Sequence, residues 1–196
     1  MRRVNMPHVI VIAGSNGSGK STAAPALLQD KVHIKDFVNA DVIAQGLSAF
    51  QPEKAAIPAG RIMLDRIKTL ANDQVDFAFE TTLASRTFAG WIENLKKNGY
   101  EFHLIFLWLQ NADLAVSRVF DRAKMGGHSV PEETIRRRYI AGLKNFFNLY
   151  LPIADYWQFC DNSYTELFSL IAMQSQNGII INNKPLWNQL KETYCE

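Results

Sequence analysis

Apolar-rich runs of five to eight residues alternate along the chain with longer segments in which apolar side chains recur every three or four positions. The first run, residues 9–13, is Val-Ile-Val-Ile-Ala, and its unbroken apolar character is typical of a strand buried on both faces of a parallel sheet. The pattern predicts strands at residues 9–13, 37–41, 75–79, 102–109 and 156–160. We therefore expect a mostly parallel sheet.

Helical periodicity describes the segments between these strands. It predicts helices at residues 20–30, 55–71, 88–97, 112–125 and 132–150, with a short final helix after Pro185. Ser129 and Glu132 have the spacing of a capping box at the start of the helix at 132–150. In the helix at 112–125, the periodicity assigns to the buried side Val116, Val119, Phe120 and Ala123.

The C-terminal region has a different pattern. Residues 167–173 and 178–181 are two strand-like runs around Asn177 and Gly178, a pair that favours a hairpin turn. Together with the alternating strands and helices, this predicts a single α/β domain spanning residues 1–196. The expected architecture has three layers, with a mostly parallel five-stranded sheet and a C-terminal β-hairpin.

A glycine-rich loop follows the first predicted strand. Residues 14–21, Gly-Ser-Asn-Gly-Ser-Gly-Lys-Ser, match G-x-x-x-x-G-K-[ST], the phosphate-binding loop that joins a strand to a helix. Glycines let such a backbone turn successive N–H groups toward an anion, and the helix N-terminus adds partial positive charge. The sequence therefore predicts that this chain binds a nucleoside triphosphate.

The side chains of this loop have expected roles. Lys20 is a mobile point charge for the β- and γ-phosphates, and the Ser21 hydroxyl is a hard oxygen ligand for Mg²⁺. We therefore expect ATP and Mg²⁺ as cofactors. The residues expected to hold the nucleotide are Gly14, Ser15, Asn16, Gly17, Ser18, Gly19, Lys20, Ser21 and Thr22.

Composition narrows the setting of this site. The 196 residues carry a net charge of +2, so the overall charge requires neither nucleic acid nor an anionic membrane as a partner. Cys160 and Cys195 lack metal-binding spacing and suit a reducing compartment. The sequence shows no signal-peptide pattern and no run long enough for a transmembrane helix, so a cytoplasmic location is expected.

Two carboxylates come at the predicted ends of strands, where parallel sheets bind their ligands. Asp41 is expected to end the second strand and Glu80 the third. Asp41 could cap the following helix, accept a proton from an attacking hydroxyl, or hold Mg²⁺ through water. Glu80 could be a surface charge, or could bind substrate hydroxyls together with Thr82.

Arginines surround a Gly-Gly break at residues 126–127. Arg118 and Arg122 are one helical turn apart and share a face, so they are candidates to stabilise charge on a transferred phosphoryl group. With the break as a hinge, this segment has the pattern of a phosphate lid. The next basic run is residues 136–138, and we interpret Arg136 and Arg137 as a solvated helix face.

In combination these residues resemble the zeta-toxin family of P-loop kinases. They are most similar to its chromosomal branch, sometimes labelled predicted ABC-type ATPases. The resemblance covers residues 7–165, and the motifs that carry it are the loop at 14–21, Asn39-Ala40-Asp41, Glu80-Thr81-Thr82-Leu83 and the stretch Arg-x-x-x-Arg…Gly-Gly-His-x-x-Pro-Glu that ends at Glu132. The resemblance implies a kinase that transfers the γ-phosphate of ATP to a hydroxyl of UDP-N-acetylglucosamine.

The resemblance also implies residue roles. Asp41 would be the general base, and Glu80 and Thr82 would contact the sugar. The arginines of the lid would contact ATP phosphates, and Asn162 would lie near the adenine. An antitoxin protein is the partner that the resemblance suggests. Toxin members carry an arginine two residues after the motif threonine, where this chain has Ala84.

Two other functions are compatible with the same motifs. One is a kinase with another acceptor, such as a small metabolite or a polynucleotide 5′-end, although the net charge of +2 makes nucleic acid the less favoured partner. The other is a nucleotide-binding switch that hydrolyses ATP slowly. An acceptor-dependent burst of ADP would separate a kinase from a switch.

Overall fold

A seven-stranded sheet with helices on both faces forms the body of the molecule. The computed structural model describes residues 6–29, 34–127, 129–164 and 168–196. The strands are β1 (His8–Ala13), β2 (Asp36–Val38), β3 (Phe77–Thr81), β4 (Glu101–Trp108), β5 (Tyr156–Asp161), β6 (Ser169–Ser175) and β7 (Gly178–Ile181). The α-helices are α1 (Lys20–Gln29), α2 (Ala40–Leu47), α3 (Ala56–Asn72), α4 (Thr87–Lys97), α5 (Ala112–Lys124), α6 (Glu132–Asn145) and α7 (Lys184–Tyr194).

The order of the strands brings β1 to the middle of the parallel part of the sheet. The order is β2-β3-β1-β4-β5-β6-β7, with β1 to β5 parallel and the hairpin β6–β7 antiparallel. The mostly parallel sheet of five strands and the hairpin predicted from the sequence are thus confirmed. Ala13 lies beside Thr81 of β3 and Phe106 of β4, so the loops after β1 and β3 leave the sheet side by side.

The side chains of β1 enter two separate cores. Val9 and Val11 belong to the larger cluster, which also takes residues from α3, α4 and α6. Ile10 and Ile12 face the other side and pack with residues of α1 such as Leu28. Because successive strand residues point to opposite faces, the unbroken apolar run requires helices on both faces, as the sequence predicted.

The second strand is shorter than predicted, and this corrects the position of Asp41. β2 ends at Val38, and the side-chain oxygen of Asn39 accepts hydrogen bonds from the N–H groups of Asp41 (2.7 Å) and Val42 (3.3 Å). Asn39 is therefore the N-cap of α2, since it satisfies N–H groups that have no partner within the helix. The expectations that Asp41 ends a strand or caps a helix are both wrong, because it is the second residue of α2.

Two details of the predicted helices are also wrong. Phe120 is 60% exposed, and the Lys124 ammonium lies 4.4 Å from the centre of its ring, while the buried positions of α5 are Ala115 and Val119. The capping box does not form, because the N-cap residue is Pro131, which makes no side-chain hydrogen bond, and α6 begins at Glu132.

The other predicted elements lie within two residues of the observed ones. The helix predicted at 132–150 is α6 followed by a π-helical turn, Phe146–Tyr150, and short 3₁₀ helices span Pro52–Ala55 and Leu151–Ile153. Residue 30, the predicted end of the first helix, and residue 167, the predicted start of the hairpin, lie outside the described residues. Among the helices of the described ranges, none has the length and apolar character needed to cross a membrane.

Candidate active site

The loop between β1 and α1 has the backbone of a phosphate cradle. Gly14, Gly17 and Gly19 have φ values of 142°, 78° and 83°, a region that L side chains rarely adopt. A Cβ on Gly19 would also lie 2.5 Å from Nδ2 of Asn162, so the Asn162 side chain would have to move. Because α1 starts at Lys20, the N–H groups of its first turn and the positive end of its dipole face the same space.

Four polar side chains converge at the start of α1. Nζ of Lys20 donates to the Ser15 carbonyl oxygen at 2.8 Å and lies 3.6 Å from Oε1 of Glu80. The Ser21 hydroxyl donates to Oε2 of Glu80 at 2.8 Å. The Asn39 amide donates to the same Oε2 at 2.7 Å and to the Ser21 hydroxyl at 3.2 Å. One carboxylate thus holds the lysine, the serine and the helix cap together.

The strand order explains why Glu80 takes this position. β3 lies next to β1, and the register places Glu80 opposite Ile12, just before the loop. Burial lowers the pKa of Lys20, whereas the nearby carboxylates of Glu80 and Asp41 act in the opposite direction. The ion pair compensates part of the cost of burying an ammonium that is only 6% exposed.

This donor set suits a magnesium ion. Mg²⁺ prefers oxygen ligands, and P-loop enzymes hold it with the loop serine or threonine and a carboxylate from a neighbouring strand. The Ser21 hydroxyl and the Glu80 carboxylate are such a pair, 2.8 Å apart. Both oxygens of Glu80 are directed to Lys20, Ser21 and Asn39, and the sugar contacts suggested for Glu80 by the sequence stay a prediction.

Two cavities meet at this cluster. The larger, of about 580 Å³, follows the phosphate loop, and the smaller, of about 260 Å³, lies between that loop and helices α2 and α3. The residues that line both cavities are Asn16, Lys20, Asp41 and Glu80. The other predicted nucleotide-binding residues that line the larger cavity are Gly17, Gly19, Ser21, Thr22, Arg118, Arg122 and Asn162. Thr82 lines the smaller one.

Hydrogen bonds of Arg118 and Asn162 join the loop after β5 to α5 and to the phosphate loop at the larger cavity. The Arg118 guanidinium donates to the carbonyl oxygens of Asn162 (2.8 Å) and Ser163 (3.0 Å). The Asn162 amide in turn donates to the Ser18 carbonyl oxygen at 2.8 Å. This chain of hydrogen bonds fixes the loop after β5 against the phosphate loop. Arg118 therefore both lines the nucleotide cavity and holds its wall in place, and Arg122, one turn later, lines the same cavity.

The Gly-Gly break closes α5 as a helix C-terminal cap. The N–H of Gly126, which has a φ of 88°, donates to the Ala123 carbonyl, and the N–H of Gly127 donates to that of Arg122 at 2.9 Å. A Cβ on Gly127 would lie 2.7 Å from Cγ of Arg122, so the break also sets the space for that side chain. His128 lies outside the described residues, and the lid motion stays a prediction.

Arg138 is a site residue that the sequence analysis missed. It lines the smaller cavity, and its guanidinium lies 3.4 Å from Oδ1 of Asn16. Burial and the neighbouring Arg137 lower the pKa of Arg138, and Asp41 raises it. The sequence did carry a signal, because Arg138 follows Ile135 by three residues and so lies on the side of α6 that carries the buried residues.

The position of α6 depends on close contacts with the loop after β3. A Cβ on Gly142 would lie 2.5 Å from the Thr82 carbonyl oxygen, so glycine allows a direct backbone approach. The Asn145 amide donates to the Leu83 carbonyl at 2.7 Å, and Leu83 itself has a φ of 53°. These contacts hold the helix that carries Arg138 over the cluster.

The fold and the site together define a P-loop kinase, a class of phosphotransferase. The Zeta toxin family model matches residues 51–154, which is more than half of the chain. An uncharacterized protein of Haemophilus influenzae is 31% identical over 130 residues, which cover 66% of this chain and 91% of that protein. The chain belongs to the Zeta toxin family.

Solved structures have the same fold at low sequence identity. A chain of the AvrRxo1-ORF1:AvrRxo1-ORF2 complex with sulphate ions has a TM-score of 0.75 at 13% identity, covering 94% of this chain and 63% of its own length. A chain of the PezAT chromosomal toxin-antitoxin system of Streptococcus pneumoniae has a TM-score of 0.66 at 16% identity, covering 94% of this chain and 77% of that one. This chain therefore spans less than two thirds of the AvrRxo1 relative.

Replacing Gly142 by alanine tests whether α6 positions the site. The new Cβ must displace α6 or the Thr82 loop, which should cost about 1–3 kcal/mol of unfolding free energy. Because Arg138 would move with the helix, we expect kcat to fall on the order of 10- to 100-fold.

The matched control is Gly90→Ala in α4, where a Cβ meets nothing within 4 Å. That variant should be more stable by about 0.5–1 kcal/mol with kcat unchanged, and an equal kcat in both variants would contradict the prediction.

Proposed function

We propose that this protein transfers the γ-phosphate of ATP to a hydroxyl of a sugar nucleotide similar to UDP-N-acetylglucosamine, with Mg²⁺ as cofactor. The observation that carries the proposal is the meeting of two cavities at Asn16, Lys20, Asp41 and Glu80. A hydrolase or a switch needs one cavity for the nucleotide, whereas a kinase needs a second chamber that opens on the γ-phosphate. ATP as donor is supported by the AvrRxo1-ORF1:-ORF2 complex with ATP, a structure of the same fold.

In this proposal the larger cavity holds ATP. The N–H groups of the loop and Lys20 bind the β- and γ-phosphates, and Asn162 stands toward the base. Ser21 and Glu80 would hold Mg²⁺, which would supply neutralising charge to the phosphate oxygens. Arg122 faces the same cavity and stabilises the charge that develops during transfer.

Transfer itself requires a proton acceptor at the junction of the cavities. The Asp41 carboxylate takes the proton from the acceptor hydroxyl, whose oxygen forms the new bond to the γ-phosphorus. The bond from that phosphorus to the bridging oxygen breaks, and ADP carries the electron pair away. Arg138, on the acceptor side, balances the negative charge near Asp41 and the phosphoryl group.

The smaller cavity supports an acceptor with hydroxyls and apolar edges. Its wall combines polar groups of Asn39 and Thr82 with the apolar side chains of Met63 and Phe88. Its volume of about 260 Å³ lies below the roughly 300–1,000 Å³ of pockets that enclose whole ligands. A sugar ring with a small substituent therefore enters it, while the nucleotide part of the acceptor stays outside.

The test is an acceptor assay with mass detection of the product. The purified chain is incubated with ATP and Mg²⁺ and with UDP-N-acetylglucosamine, UDP-glucose, free N-acetylglucosamine or an oligonucleotide with a 5′-hydroxyl. We expect acceptor-dependent ADP release and one added phosphate on UDP-N-acetylglucosamine. Phosphorylation of another acceptor alone would overturn the sugar-nucleotide assignment and leave the kinase. ADP release that no acceptor stimulates would overturn both.

We also propose one folding domain and an antitoxin-like protein partner. The single domain is supported by the continuous sheet, which joins β2 at one edge to β7 at the other. The partner is supported by the PezAT relative, which is part of a toxin-antitoxin system. Co-purification with the product of an adjacent gene, followed by loss of turnover in the complex, would test the partner.

A further inference from the structure

A second polar cluster lies at the opposite edge of the sheet from the phosphate loop. It consists of His8, the first residue of β1, with Glu101 and His103 at the start of β4. Residues two apart on a strand share a face, so Glu101 and His103 project together, and the register pairs His8 with Glu101. The length of β1, six residues, separates this cluster from the phosphate loop by on the order of 20 Å.

The three side chains direct donor atoms to one point. Oε1 of Glu101 lies 2.6 Å from Nε2 of His103 and 3.1 Å from Nδ1 of His8, and the two nitrogens are 3.2 Å apart. The side chains are 20–25% exposed. Because each of the three atoms lies within hydrogen-bond distance of the other two, they compete for the ring protons that they share, and a cation placed between them would remove that competition.

We propose that His8, Glu101 and His103 bind a Zn²⁺ ion at a site independent of the kinase centre. With zinc bonds of about 2.0–2.2 Å in a tetrahedral arrangement, ligand atoms lie about 3.3 Å apart. Two of the three separations, 3.1 Å and 3.2 Å, are close to this value, and rotation of the Glu101 carboxylate widens the third. Two imidazoles and one carboxylate are also the donor set of zinc sites in which water is the fourth ligand.

The surroundings of the cluster suit such a site. It opens into a cavity of about 690 Å³, which provides an entry path and room for the water ligand. The His103 ring stacks on Tyr156 with ring centres 4.9 Å apart, and the His8 backbone N–H donates to the Asp76 carboxylate at 2.7 Å. These contacts hold the ligands in place before binding, which lowers the entropy lost when the metal binds. Bound zinc would join β1 directly to β4.

The experiment titrates Zn²⁺ into the full chain after chelator treatment. Excess Mg²⁺ is present throughout to occupy the hard oxygen site near Ser21, since imidazole ligands favour zinc over magnesium. We expect one Zn²⁺ per chain by calorimetry, a higher Tm with zinc, and the intense visible spectrum of tetrahedral Co²⁺ when cobalt replaces it. Glu101→Gln and His103→Gln should each weaken zinc binding by more than about 100-fold, because loss of even an outer partner of a metal ligand costs 10- to 100-fold.

The matched control is Cys195→Ser. Cys195 is an exposed free thiol, a group that could capture zinc adventitiously. Zinc binding that survives this change and is lost with Glu101→Gln supports the proposal. Binding that disappears with Cys195→Ser, or a wild-type chain that takes up no stoichiometric zinc, overturns it. The wild-type stoichiometry and the Co²⁺ spectrum do not depend on the folding of any variant.

Discussion

Replacing Lys20 by methionine is expected to lower phosphoryl transfer by at least about 10²- to 10³-fold, the range measured when one preorganised donor is removed from a reacting oxygen. The fold should persist, because methionine matches the length of the lysine stem and the ammonium makes its contacts with Ser15 and Glu80 at the site. The variant no longer buries an ammonium, but it also leaves the Glu80 carboxylate without its ion pair, and these two effects on stability oppose each other. Turnover should therefore fall strongly while the Tm stays close to that of the wild type.

The measurement compares ADP production, ATP affinity and Tm with those of Lys68→Met. Lys68 is an exposed lysine of α3, so its replacement removes the same charge from the molecule without touching the cluster. Its turnover should stay at the wild-type level. If Lys20→Met turns over ATP as the control does, the assignment of the loop at 14–21 as a phosphate cradle is wrong.

The central features of the fold could be predicted because they depend on local patterns. The apolar run at 9–13 requires burial on both faces, and the glycines after it permit the positive φ values that a phosphate loop needs, so the strand, the loop and α1 follow from adjacent residues. The hairpin around Gly178 was predictable for the same reason, since its turn residues are adjacent to the strands that they connect.

The arrangement of the site depended on contacts between distant segments. Glu80 and Ser21 are 59 residues apart, and only the order of β3 beside β1 brings them to hydrogen-bond distance. Sequence alone therefore assigned Glu80 to substrate hydroxyls and Ser21 to the metal as separate roles. Arg138 was missed because a run of three arginines resembles a solvated surface, although Gly142 brings that helix against the Thr82 carbonyl.

The secondary structure predicted for Asp41 is wrong, but its side chain still lies at the edge of the sheet where it was expected. The sequence pattern predicts it at the end of a strand, but the strand ends at Val38 and Asn39 caps α2. The first turn of that helix still lies at the carboxyl edge of the sheet, so the carboxylate lines both cavities. The position of the side chain thus survives the correction of its secondary structure.

Replacing Asp41 by asparagine is expected to leave ATP affinity within a few-fold of wild type and to lower phosphorylation of the acceptor on the order of 10²- to 10⁴-fold, the usual value of general-base assistance. The cap of α2 belongs to Asn39, so the variant loses only the favourable charge in the first helical turn, about 0.3–1 kcal/mol. Asp65→Asn, in the exposed face of α3, is the matched control for loss of one carboxylate and should retain full activity. The assay follows the phosphorylated acceptor by mass, with ATP affinity measured separately on the same preparations.

Full activity in Asp41→Asn would remove the base assignment. A loss of ATP affinity that matches the loss of rate would assign Asp41 to binding the metal and the nucleotide, because a base acts on the acceptor proton and contributes to the transition state alone.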